Sequence, residues 1–299
     1  MPALLLLWNV ARGALIGVSE IIPGVSGGTI ALLVGVYERL IQSAAELVRG
    51  VVRFVLDVPR GRGTAGAREH LLAVSWSTVL PVGIAMLAAV VVGARIVAPL
   101  VEAHPLEARA LFAGLIAASL VVPARMLGGR WRLRDWALAV PAAVLSFLLT
   151  GLPAADAAEP GALAIVASAA VAICALVLPG VSGSFVLVTT GMYEPTLRAL
   201  NAGDVAYVAL FAVGAVLGLA VFVQVLLWLL RQHHRVTLAI MTGLMAGSLR
   251  ALWPWQTEER ALLAPSGDVV ALSLWFALGL VVVGALLAAE ALAKRRSSR

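Results

Sequence analysis

A proline, glycines and hydroxyls recur in one order at two places, Pro23-Gly24-Val25-Ser26-Gly27-Gly28-Thr29 and Pro179-Gly180-Val181-Ser182-Gly183-Ser184. Serine just ahead of glycines suits a helix cap. The unpaired N–H groups of a helix start carry about half a positive charge, and glycine lets a ligand approach them closely. Each stretch therefore has the makings of an anion site, with Gly24, Ser26, Gly27, Gly28 and Thr29 in the first and Gly180, Ser182, Gly183 and Ser184 in the second. The plainer reading is that the glycines only permit tight turns and the serines only cap. For one copy that reading is preferable, but duplication favours binding.

Glu20 lies about one helical turn before the first Pro-Gly, and its counterpart before the second is Leu176. A carboxylate near the centre of a bilayer costs roughly 3 kcal/mol, so this one has a role if it sits there. Coupling to H+ or Na+, pairing with a basic residue, and a wet exposed position all fit the sequence.

The elements that must position these residues are membrane helices. The chain has 299 residues, 62% apolar and only 13% charged, with a mean hydropathy of +1.00, far above a soluble domain. Residues 76–100, 205–230 and 269–292 each offer the roughly 20 apolar residues needed to cross a bilayer. The net charge of +6 does not argue for nucleic acid, because the arginines sit in short loops and at the C-terminus. The first apolar run holds Arg12 and Glu20 and lacks a convincing cleavage site, so it is read as mature protein. Cys174, the single cysteine, lies in an apolar run and excludes an internal disulfide. With no P-loop, HExxH pair or nucleophile elbow, no metal, cofactor or ATP-driven step is expected.

Residues 23–38 align without gaps on residues 179–194, eight of sixteen identical, and Gly114-Leu115-Ile116-Ala117-Ala118-Ser119-Leu120 resembles Gly243-Leu244-Met245-Ala246-Gly247-Ser248-Leu249. Two copies of one unit follow, 1–152 and 153–299. Each Pro-Gly splits an apolar region into pieces short for a full span, which predicts re-entrant hairpins over 3–41 and 161–200, each followed by three spans. The first copy carries a basic insertion over 42–73. With N- and C-termini cytoplasmic, sixteen basic residues fall inside and five (Arg95, Arg109, Arg198, Arg250, Arg260) outside. An odd number of spans separates the hairpins, so the expected fold is an all-α polytopic membrane protein of two inverted-topology repeats. In such folds substrate sites lie between the repeats.

Arg12 is roughly 16 Å along a helix from Pro23, which suits snorkelling better than ligand capture. Arg125 and Arg250 end helices near the duplicated Gly-Leu segments and are further candidates for a headgroup contact. Tyr37-Glu38 and Tyr193-Glu194 read as interfacial belts at the far ends of the post-turn helices.

Residues 17–41 (GxSEIIPGVSGGTIALLxGxYERLI) with 173–185 (ICALVLPGVSGSF) resemble the PopT family of polyprenyl-phosphate transporters across nearly the whole chain. The resemblance implies a non-enzymatic flippase that returns undecaprenyl phosphate from the outer to the inner leaflet of a bacterial cytoplasmic membrane, with the two turns holding the phosphate. Two rivals remain. Undecaprenyl-pyrophosphate phosphatases carry a similar turn, but with arginine where this chain has Gly27 and Gly183; a channel or carrier for a small inorganic anion would share the cradle without a lipid groove.

Overall fold

The computed structural model describes residues 2–21, 26–153, 160–257 and 259–297, and among them the architecture is all-helical. The helices are α1 (Pro2–Ile21), α2 (Gly27–Leu33), α3 (Tyr37–Asp57), α4 (Ala65–Ala73), α5 (Trp76–Ala103), α6 (Pro105–Ser119) and α7 (Val121–Met126). There follow α8 (Leu133–Leu149), α9 (Ala162–Val177), α10 (Gly183–Thr189), α11 (Tyr193–Ala202), α12 (Val205–Gln232), α13 (His234–Ser248) with a 3-10 turn (Leu249–Leu252), and α14 (Val269–Ser297).

Four described helices are long and apolar enough to cross a membrane: Trp76–Ala103, Pro105–Met126, Val205–Gln232 and Val269–Ala288. Their outer faces carry side chains such as Ile84, Val221 and Leu274, each about two-thirds exposed, as lipid contact requires. The six full spans expected from the sequence are thus met by length in four. At 17 and 15 residues, α8 and α13 rise only about 26 and 22 Å.

Glycines set the helix pairs. In an apolar solvent burial gives little drive for helices to associate, and small residues that let backbones touch take its place. A Cβ at Gly13 or Gly17 of α1 would overlap the Val82 or Met86 carbonyl of α5. Gly214 of α12 meets Val166 of α9 in the same way, and Gly218 meets Ala170. On α13, Gly243 and Gly247 abut Ala139 and Ala143 of α8, while Gly114 of α6 abuts Phe276 of α14. Partners that advance together by four residues make α1–α5, α9–α12 and α8–α13 parallel pairs.

The core lies around the first broken helix. Ile30 to Leu33 of α2, with Val36 and Tyr37, pack against Ile116, Val223, Leu226, Leu238, Met241 and Met245. The second broken helix, α10, is only half-buried. The basic insertion becomes the rest of α3 with α4. It is tied to α12 by Gln224, which accepts from Arg49 Nε at 2.9 Å and donates to the Ala45 carbonyl at 2.8 Å. Buried Glu46 receives Arg49 at 2.9 Å and meets His70 Nδ1 at 2.7 Å.

Asp135, in the first turn of α8, is 4% exposed and accepts from Arg235 Nε at 2.9 Å and from the Arg132 N–H at 2.7 Å. Arg235 also donates to the carbonyls of Gly128 and Arg130, both at 2.8 Å. This clasp joins the start of α13 to the loop before α8. The Arg235 hydrogen bond, aided by the Arg132 amide, holds the Asp135 carboxyl below its usual range. A carboxyl so lowered stabilises the fold above the unfolded carboxyl range, and the contribution is lost as pH falls through the lowered folded value. Asp135→Asn should therefore reduce the thermal unfolding midpoint in detergent equally at about pH 7 and about pH 5, with the gap closing only below about pH 4. A gap that shrinks already between pH 7 and 5 would contradict this.

Candidate functional site

The two turns meet inside the molecule. The link from α1 to α2 contains Pro23 and Gly24, which lie outside the described residues. From Ser26 onward the first turn is sealed, with Ser26 3% and Thr29 0% exposed. Ser26 takes the N-cap position of α2, its carbonyl accepting from the N–H groups of Thr29 and Ile30 at 3.0 and 3.3 Å. Its hydroxyl makes no cap bond. It reaches across and donates to the Leu178 carbonyl at 3.2 Å.

Two more bonds cross the same boundary. Thr29 Oγ1 accepts from the Gly180 N–H at 2.9 Å, and the Tyr37 hydroxyl donates to the Val177 carbonyl at 3.0 Å. Gly28 completes the contact, since a Cβ there would stand 2.8 Å from the Val177 carbonyl oxygen. The first unit thus bonds backbone groups that lose their helical partners where α9 unwinds. Gly180 holds φ +83 and backs onto Met245, whose nitrogen would be 2.5 Å from a Cβ, so glycine is required there for both conformation and space.

Glu20 lies beside the start of α2. Its Oε1 accepts from the Gly27 N–H at 3.0 Å, and a Cβ on Gly27 would overlap it. The carboxylate therefore holds the place at this helix start that an external anion would take. At the second turn Leu176 occupies the equivalent place, its Cβ 3.1 Å from a Cβ built on Gly183. No described group accepts from the Gly183 or Ser184 N–H.

The second turn is also the open one. Ser182 caps α10 weakly, accepting from the Phe185 N–H at 3.5 Å, and its hydroxyl shares a 2.9 Å hydrogen bond with that of exposed Ser184. Gly180, Ser182 and Phe185 line a cavity of about 100 Å³ with Thr150, Leu244 and Ser248. A second cavity of about 450 Å³ lies beyond the end of α2, lined by Leu33, Tyr37, Glu38, Val122, Arg125 and Leu287.

The remaining arginines are spread out. Arg125 lines the larger cavity. Arg12 stays on the first half of α1, donating to Asn9 at 3.1 Å with its guanidinium 5.2 Å from the Trp8 ring centroid. Arg250 donates to the carbonyls of Phe147 at 2.9 Å and Arg260 at 3.2 Å, which ties the end of α8 to the loop that carries Arg260. Tyr37 corrects the belt reading. It begins α3 after α2 has ended at Leu33, and it is 3% exposed, whereas Tyr193 is 39% exposed. The Ser26 and Tyr37 bridges had no local signature, because their acceptors lie 152 and 140 residues away.

Helices long enough to cross a bilayer, with two broken helices meeting inside, define a multi-pass α-helical membrane protein. Residues 16–270 match the undecaprenyl phosphate translocase-like family, and the chain belongs to it, which makes it a transporter and not an enzyme. It is 33% identical over 261 residues, 87% of this chain and 82% of the relative, to a polyprenyl-phosphate transporter of Vibrio cholerae serotype O1. No solved structure matches the chain.

Thr29→Val keeps the shape of the side chain but removes the acceptor for a buried N–H, a loss of about 1–3 kcal/mol. The variant should unfold at a lower temperature in detergent than the wild type, and an unchanged midpoint would show that the bond between the turns does not contribute.

Proposed function

We propose that this protein carries undecaprenyl phosphate, or a closely related polyprenyl phosphate, from the outer to the inner leaflet of a bacterial cytoplasmic membrane. The observation that carries the reading is the meeting of the two duplicated turns, one sealed by its own carboxylate and the other opening into a small, mainly apolar cavity beside the Ser182 hydroxyl. The name of the 33% identical relative supports the lipid's identity.

The two copies act as inverted repeats with N- and C-termini cytoplasmic. Crosswise pairing supports this: Gly114 of the first copy rests on α14, the last helix of the second, and its counterpart Gly243 rests on α8, the last helix of the first. The cavities follow the same exchange. Leu33 and Val122 in one correspond to Thr189 and Ala251 in the other, which supports openings on opposite faces, as alternating access needs. The phosphate headgroup enters at Gly180, Ser182, Gly183 and Ser184, passes the Ser26 to Thr29 side as the repeats rock, and leaves by the Arg125 cavity. The prenyl tail stays in lipid throughout.

Glu20 is the coupling group in this scheme. Neutralised by H+ or balanced by Na+, it would release the Gly27 N–H for the phosphate. Hydrolysis is disfavoured, because the arginine of the phosphatase turn has no room here: a Cβ on Gly183 would already stand 2.6 Å from the Ala172 carbonyl oxygen.

Reconstituted in liposomes, the protein should move undecaprenyl phosphate between leaflets and release no phosphate from the pyrophosphate. Passage of inorganic phosphate without lipid movement would replace the lipid carrier with an anion pathway. Ser182→Ala should slow transport about tenfold, the loss expected for one hydrogen bond to a charged group. Glu20→Gln should flatten the dependence on pH or sodium, and an unchanged profile would remove Glu20 from coupling.

A further inference from the structure

The described part of the loop between the 3-10 turn and α14, residues 253–257 and 259–268, is a built element. The Leu263 N–H donates to the Trp255 carbonyl at 2.8 Å, the Thr257 N–H to the Ala261 carbonyl at 3.0 Å, and the Arg260 N–H to the Thr257 carbonyl at 3.0 Å. Two indoles pin its flanks, Trp253 donating to the Leu263 carbonyl at 3.1 Å and Trp255 to that of Ser266 at 2.7 Å. The turn is closed by Arg260 in the left-handed region, φ +66, where hairpin turns usually place glycine or asparagine. Among the described residues Arg260 alone of the non-glycine residues has positive φ. A long charged side chain in a glycine position points to a task for that side chain.

The guanidinium of Arg260 lies 4.5 Å from the centroid of the Phe185 ring on α10, three residues past Ser182, and donates to the Leu152 carbonyl at 3.2 Å. Arg250 holds the Arg260 carbonyl from behind. Arg109 of α6 contributes a second half-buried cation near Arg260, and no described carboxylate pairs with either. Burial, and then the charge of Arg109, press the Arg260 guanidinium below the usual arginine range. Two half-buried cations that feel each other's charge and pair with no described carboxylate, beside a mainly apolar cavity whose wall includes Ser182, suit an anion that is both charged and multidentate.

We propose that Arg260 and Arg109 form a capture site for the phosphate monoester of a lipid on the face bearing the 253–268 loop, delivering it past Phe185 to the Ser182 turn. The inference rests on the transport reading above. Its chemistry is shared by a prenyl phosphate headgroup and by free phosphate. Stacking on Phe185 links the captured charge to the broken helix that carries Ser182.

Purified protein in nanodiscs, titrated with undecaprenyl phosphate and separately with inorganic phosphate, tests the site. Arg109→Gln removes charge without removing any hydrogen bond among the described residues, so it is the decisive variant. Arg260→Lys keeps the charge but loses the planar fork. Each should weaken lipid binding about tenfold or more, with a wild-type thermal midpoint for Arg109→Gln. Arg198→Gln, an exposed charge on α11, should bind as the wild type does. Lipid binding unweakened in both Arg109→Gln and Arg260→Lys would overturn the capture site and leave the transport reading standing. Absence of lipid binding by the wild type would overturn both. Arg109-dependent retention of inorganic phosphate without lipid would overturn the lipid assignment.

Discussion

Everything in the interior depends on one requirement: backbone that unwinds away from water must still find hydrogen-bond partners. Where α9 ends, the carbonyls of Val177 and Leu178 and the N–H of Gly180 lose their helical partners. The other half of the chain bonds all three, through Tyr37, Ser26 and Thr29, and the Leu178 carbonyl also accepts from the Val181 N–H at 3.2 Å. A buried polar group left unpaired costs more than a paired one gains. The broken helices are therefore a joined pair, and a movement that separates them must break three bonds together or supply replacements. In the proposed cycle a phosphate with several acceptor oxygens can replace the one donated bond, while hydroxyls freed from Val177 and Leu178 can turn to donate to it.

Around this joint the helices are rigid bodies in contact through backbone. Gly13, Gly17, Gly214, Gly218, Gly243 and Gly247 leave no side chain between partners, so α1 with α5, α9 with α12, and α8 with α13 are the closely packed units of the proposed cycle. In that cycle the boundaries between pairs move, where the two cavities and the Ser26–Leu178 contact lie.

Much of this was legible in the sequence because it is local or repeated. Hydropathy and the doubled Pro-Gly turn are properties of short windows, and the copies could be aligned without structure. The partners could not. Ser26 reads as a cap because serine before glycine usually caps, yet its hydroxyl is drawn to a carbonyl of the other half. Tyr37 reads as an interfacial tyrosine because it ends an apolar run, but the break between Leu33 and Tyr37 turns it inward. Arg260 carries no motif, and its place is fixed by a loop whose bonds run to Trp255, Thr257 and Leu152. Lengths misled as well: α8 runs only from its Arg132 cap to Leu149, just ahead of Gly151, and the 3-10 turn over Leu249–Leu252 ends α13 early.

The copies differ at the position that governs charge. Glu20 and Leu176 stand in the same place, each against the first glycine of its broken helix. A carboxylate there fills the first helix start with internal negative charge. A leucine leaves the second start to whatever anion arrives. A symmetric pair of filled starts would repel a phosphate, and a symmetric pair of empty ones would hold it from either face with equal strength. One filled and one empty gives the site a direction: the anion is received at the Ser182 turn, and its advance to the Ser26 side requires the Glu20 charge to be neutralised or moved. Direction in this reading therefore follows from the Glu20/Leu176 difference, the one change between the aligned turns that adds or removes a charge.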